Sequence, residues 1–192
     1  MRFDDRDLRL RLDAPEPTWR SEPGLRDAAV LLPLVRREDR DVLVFTLRRD
    51  DLAAHAGQIS FPGGGREGDE DPVACALRES EEEIGLVPAR CEVLGRLPER
   101  VSIAGYLVAP FVARVLDAPV YRPDAAEVAE VFELPVGEML DASLWSHRST
   151  SHPRARFARV PQMALEGRNV WGLTGIILRD FVRRAAGFDP GE

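Results

Sequence analysis

Four of the five consecutive positions 79–83 are glutamate, and a glycine-rich turn, Phe61-Pro62-Gly63-Gly64-Gly65, stands a short distance before them. Like charges packed this closely oppose folding unless something positive sits among them. On a helical wheel at roughly 100° per residue, Val73, Leu77, Ser80 and Ile84 share one stripe. Glu79, Glu82 and Glu83 fall on the opposite side, related as i, i+3 and i+4. Asp71 and Pro72 suit the first turn of such a helix and Gly85 its stop. The spacing therefore predicts an amphipathic helix over 72–85 with one core face and one three-carboxylate face. Arg78 precedes Glu82 by four residues and can hold it by charge-assisted hydrogen bonds.

Carboxylates without histidine or cysteine suit Mg²⁺ or Mn²⁺ better than Zn²⁺. Magnesium takes few carboxylates and leaves positions for water or phosphate oxygens, as a phosphoryl-transfer site requires. The plainer reading of the same run is an exposed acidic helix face.

The full spacing separates these readings. It runs Gly64, five residues, Glu70, seven residues, Arg78-Glu79, two residues, Glu82-Glu83, one residue, Gly85, then Leu86. This pattern resembles the box motif of the Nudix hydrolases at every fixed polar and glycine position. Ser80 departs from it, since the family usually has an apolar residue there. The resemblance implies an α/β fold: an α/β/α sandwich around a mixed β-sheet, with the box as its loop-helix-loop.

It also implies hydrolysis within the pyrophosphate of a nucleoside diphosphate linked to another moiety, with Mg²⁺ or Mn²⁺ as cofactor. Glu79 and Glu83 are the main expected metal ligands, Glu82 a third, and a carbonyl of Gly63 or Gly64 a further donor. Glu70 is expected to support the loop and Arg78 to orient the carboxylates. The general base is expected either on the box, at Glu82 or Glu83, or on a distal acid, Glu127 or Glu130.

Substrate choice lies outside the box. Upstream, Thr46-x-Arg48, His55-x-Gly57-Gln58 and Phe61-Pro62-Gly63-Gly64 resemble the signature of coenzyme A pyrophosphatases, a Nudix subgroup. Where that signature usually has an arginine this chain has Ala53, and where it has a serine, Arg49. The expected substrate-binding residues are Arg48, Arg49, His55, Gly57, Gln58 and Gly63. The expected substrate is coenzyme A or its thioesters, cut to 3′,5′-ADP and 4′-phosphopantetheine. ADP-ribose or a dinucleotide is the alternative, and a non-catalytic nucleotide-binding regulator a more distant one. The family resemblance also raises self-association as a homodimer.

The 192 residues suit one domain. The expected division is a lead-in over 1–26, the domain over 27–187 and a tail over 188–192. A net charge of −7 argues against a general nucleic-acid surface. Two cysteines, Cys75 and Cys91, make no disulfide framework, and no apolar run approaches bilayer length. These point to a cytoplasmic protein.

Strands are predicted over 28–35, 41–48, 58–62, 92–97, 107–115 and 131–134, with a pair near 157–164 and 169–171. Helices are predicted over 4–12 and 173–186, and a helical turn over 136–140. The basic, polar stretch 146–156 reads as a loop, either over the site or merely solvated, and Trp171 as a core aromatic, with the wall of a base or pantetheine site as the alternative.

Overall fold

The computed structural model describes residues 1–50, 57–151 and 159–191. In chain order the elements are α1 (Asp5–Arg11), β1 (Arg26–Arg37), β2 (Arg40–Arg48), β3 (Ile59–Ser60), β4 (Gly63–Gly65) and α2 (Pro72–Ile84). Then come β5 (Cys91–Arg96), β6 (Arg100–Val101), β7 (Tyr106–Val115), β8 (Val128–Pro135), β9 (Trp145–Ser149), β10 (Arg159–Leu165), β11 (Arg168–Val170) and α3 (Gly172–Ala186).

The main sheet is mixed. Its path is β3-β2-β1-β7-β5, with β8 on β2, β4 on β1 and β6 on β7. Only β1 and β7 run parallel among these pairs, in a ten-residue register from Arg26↔Tyr106 to Val35↔Val115. The second half of β1 pairs with β2 from Leu34↔Leu43 to Arg37↔Arg40. Its first half pairs instead with β4, from Ala28↔Gly65 to Val30↔Gly63. One strand edge thus serves two partners, and the glycine turn occupies the split between them.

Both faces of the sheet are covered, which explains why β1 reads as an almost continuous apolar run. Ala29, Leu31 and Val35 point to the side of α2, where they join Cys75, Ala76, Ile84, Phe111 and Val115. Leu32 and Leu34 point to the other side, with Leu8, Phe45, Phe181 and Val182. Helix α2 therefore lies on one face and α1 and α3 on the other: an α/β/α sandwich. The first residues are part of this core, since Phe3, Leu8 and Leu12 are all buried in it. Strands β9, β10 and β11 form a separate antiparallel sheet packed beside α3.

Local chemistry accounts for α2. The Asp71 side chain accepts the Val73 and Ala74 N–H groups, Pro72 opens the first turn, and Gly85 and Leu86 close the last on the Glu81 and Ser80 carbonyls. Ser80 is fully buried, and its hydroxyl donates to the Ala76 carbonyl at 2.7 Å. The helix ladder thus satisfies a polar residue on the core face.

Three sequence expectations change. The buried stripe of α2 is centred on Cys75, Ala76, Ser80 and Ile84, while Val73 and Leu77 are only half-buried. The helix packs against both β1 and β4, so a single-stripe wheel misplaces its core face. The first part of the expected loop 146–156 is strand: β9 pairs with β10 from Ser149↔Arg159 to Trp145↔Met163. Its alternation was masked by the polar residues Ser146, His147 and Arg148. Trp171, lastly, is 36% exposed and not a core residue.

Candidate active site

The site begins where β4 lies under α2. A side chain on Gly63 would overlap the Ala29 carbonyl and Val30, and one on Gly64 would overlap the Glu79 carboxylate. Glycine lets helix and strand approach until the glutamates rest on bare backbone.

Glu83 is the most confined of them, 6% exposed. The Gly63 N–H donates to its Oε2 at 3.1 Å, and Arg48 Nη1 lies 3.6 Å from its Oε1. Burial nevertheless pushes its carboxyl up to about 7, with the nearby Glu79 and Glu127 charges acting in the same direction. Glu79, one turn earlier, is also raised, again chiefly by burial, although Arg78 Nη1 lies 3.0 Å away.

Glu82 does not join them. Its side chain is 58% exposed and accepts from Arg78 Nη1 at 2.9 Å. Arg78 is the hub of the box. Its Nε and Nη2 hold the two Glu70 oxygens at 3.0 and 2.8 Å, and Nη2 also reaches the Gly65 carbonyl at 3.1 Å. Chiefly through this fork, the Glu70 carboxyl is lowered to about 2. Glu70 also accepts the Glu67 N–H at 2.7 Å and so closes the loop ahead of the helix.

Arg48, at the end of β2, joins the distal acid to the box: it pairs with Glu83 and, at 3.3 Å, with Glu127. Glu130 turns away to Arg168 at 2.6 Å. Arg49 lies outside the cleft; its Nη1 donates to the Ala125 carbonyl and its backbone N–H to that of Glu127. It thereby anchors the loop that carries Glu127. The Gly57 N–H donates to the Arg49 carbonyl at 3.4 Å, and the Gln58 carbonyl accepts from the Arg48 N–H at 3.0 Å. His55 and Ala53 lie outside the described residues. The Cys75 thiol, raised to about 12 by burial, is a packing group and no nucleophile at neutral pH.

A cavity of about 790 Å³ opens from these residues. Arg48, Gln58 and Gly63–Gly65 line part of it. Val30, Ile59, Val101, Ile103, Leu173 and Ile176 supply apolar wall, and Arg100, Arg148 and Trp171 also line it. The segment from Glu99 to Ala104 carries no motif that flags it in the sequence; the pairing of β6 with β7 brings it to the cavity.

The NUDIX domain model matches residues 25–154 of this chain. The chain belongs to the Nudix hydrolase family. It is 36% identical over 177 residues to the uncharacterized Nudix hydrolase NudL of Photorhabdus laumondii, covering 92% of this chain and 94% of that one. It is 40% identical over 156 residues to NudL of Escherichia coli strain K12, covering 81% and 80%. Among solved structures it is similar to a MutT/nudix family protein from Enterococcus faecalis, with TM-score 0.55 and 16% identity over 86% of this chain and 64% of that one. It is likewise similar to the C. elegans Ap4A hydrolase binary complex, with TM-score 0.52 and 14% identity over 59% and 83%. At these identities the structural likenesses speak for the fold.

Nudix hydrolases use divalent metal ions such as Mg²⁺ or Mn²⁺. The residues of this Nudix hydrolase fit such an ion. Glu83 is a buried carboxylate with Glu79 and Glu127 charges nearby, an arrangement that a hard cation would relieve. No group of three or more His, Cys, Asp or Glu side chains converges into a ready metal cluster among the described residues. No described helix is long and apolar enough to cross a membrane.

Proposed function

We propose that this Nudix hydrolase cleaves the pyrophosphate of coenzyme A or its thioesters, releasing 3′,5′-ADP and 4′-phosphopantetheine or its acyl form. The observation that carries the reading is the placement of Arg48, Gln58 and Gly63 in the lining of one large, mostly apolar cavity. These residues belong to the upstream segment whose sequence resembles the coenzyme A pyrophosphatases. A substrate with a charged diphosphate and a long uncharged arm suits that lining.

Glu79 and Glu83, with a backbone carbonyl of Gly63 or Gly64, would hold Mg²⁺ or Mn²⁺, and Glu82 would join if its contact with Arg78 opened. When bound, the metal would screen the diphosphate charge and lower the pKa of a water molecule. The protein's own groups do the rest. Arg78 and Glu70 fix the loop, and Arg48 presents a cation beside the carboxylates. Water adds to one phosphorus, the bridging P–O bond breaks, and the water proton passes to a carboxylate. Glu83 and Glu127 are the acceptors at hand. Glu127→Gln separates them, because a drop in kcat with intact metal binding assigns the base to Glu127. The enzyme would work in the cytoplasm, and the family resemblance supports a homodimer.

Parallel kinetics on coenzyme A, dephospho-coenzyme A and ADP-ribose test the substrate. Higher kcat/KM for coenzyme A is expected. A clear preference for ADP-ribose would overturn the assignment.

A further inference from the structure

Trp171 stands at the start of α3 in extended conformation, φ −143° and ψ −176°. Gly172 follows at φ +67°, a left-handed geometry that suits glycine. This turn leaves the indole in the wall of the cavity and 36% exposed. Arg148, on β9, sets its guanidinium 5.1 Å from the ring centroid. Among the described residues Arg148 forms no ion pair, and it too lines the cavity. An exposed cation over a ring is held weakly, and a phosphate would compete for it with charge-assisted hydrogen bonds. Leu173 and Ile176 border the same wall.

A planar aromatic surface beside a guanidinium that has no ion pair among the described residues suits a nucleobase whose sugar carries a phosphate of its own. We infer that Trp171 and Arg148 form the subsite for the nucleoside end of the substrate. Trp171 stacks the base and Arg148 takes the phosphate outside the scissile diphosphate. The ribose and its 5′ oxygen link this subsite to the diphosphate near Gly63, and the uncharged remainder of the substrate leaves from the far side of that diphosphate. The inference rests on the coenzyme A reading for the identity of that remainder, but its test does not.

The test uses the full chain without metal, with 3′,5′-ADP and 5′-AMP as probes that differ by one phosphate. Both should quench tryptophan fluorescence in the wild type. W171F should abolish that quench, because Trp19 and Trp145 lie outside the cavity lining, while calorimetry shows affinity held within about threefold. W171A should weaken both nucleotides on the order of tenfold. R148A should weaken 3′,5′-ADP on the order of tenfold and leave 5′-AMP unchanged. A quench that persists in W171F overturns the stacking assignment even if W171A fails to fold. Equal effects of R148A on both nucleotides, or none on either, overturn the phosphate assignment. If coenzyme A is not cleaved while this nucleotide pattern holds, the substrate reading falls and the subsite stands.

Discussion

The Gly63 N–H donates to the Glu83 carboxylate at 3.1 Å, across the contact between β4 and α2. One hydrogen bond thus joins the glycine turn to the last glutamate of the acidic run. It does not compensate for removing that carboxylate from water, and Glu83 remains raised to about 7.

The sign of this shift fixes a pH dependence. In the metal-free protein Glu83 holds a proton to higher pH than the ordinary 4.5, so its contribution to stability falls as pH rises from 4.5 towards 7. A bound cation needs the ionised form. Mn²⁺ affinity should therefore rise with pH up to about 7 and then level off. Calorimetry in buffers of different ionisation enthalpy should show proton release at about pH 6 that is largely gone at about pH 8. Equal release at both values would show that Glu83 does not titrate with the metal. Glu83→Gln should fold normally and lose activity by roughly hundredfold or more.

Arg78 holds Glu70 by a two-bond fork, which lowers the Glu70 carboxyl to about 2. The stability from this pair is complete above the ordinary 4.5 and is lost as pH falls from 4.5 towards 2. Urea unfolding of the wild type should show a stability loss in that window, and Glu70→Gln should flatten it. Arg78→Lys keeps the charge but not the fork, and a drop of about 10- to 100-fold in activity or metal affinity is expected. Wild-type kinetics in that variant would remove Arg78 from its positioning role.

Gly64→Ala brings a methyl group into the Glu79 carboxylate, while Gly63→Ala meets backbone. The two neighbours should differ. Gly64→Ala should keep most of its stability, because the Glu79 side chain can swing aside, and lose metal affinity. Gly63→Ala should lose about 1–3 kcal/mol of stability, since its φ of +151° and the Ala29 carbonyl leave nowhere to move. Thermal melts and Mn²⁺ titration of both variants check this.

Asp41, 0% exposed, ties the amino-terminal segment to the sheet. It accepts from the Phe3 N–H at 2.8 Å, Arg36 Nε at 3.0 Å and Arg114 Nη1 at 2.9 Å. Burial alone would raise its carboxyl; the two guanidiniums and the N–H outweigh burial and hold it below the ordinary value. Asp41→Ala leaves Arg114 its Asp5 contact at 2.6 Å but removes the partner of the Phe3 N–H and of Arg36, and should cost about 1–3 kcal/mol. A loss below about 1 kcal/mol in denaturant unfolding would mean that the cluster relaxes around the gap.

Much of the fold is legible because the signals are local. The Asp71-Pro72 start, the Gly85 stop and the apolar runs of β1, β2 and β7 depend on near neighbours in sequence. Strand β9 was hidden because its partner, β10, hides the register that makes a polar stretch regular. Arg48 and Arg49 read alike as adjacent cations. The pairing of β2 with β8 sends Arg49 to the loop backbone and Arg48 into the cleft.

The sequence by itself determined the reaction family, because the box is a contiguous run whose glycine, arginine and glutamate spacing is set by one turn and one helix. Tertiary structure decided which carboxylates meet. The split edge of β1 brings the glycines under α2, so Glu79 and Glu83 lie against backbone while Glu82, one position from Glu83, stays at the surface. It also brought Trp171, just ahead of α3, and Arg148, on β9, to one wall that only packing assembles.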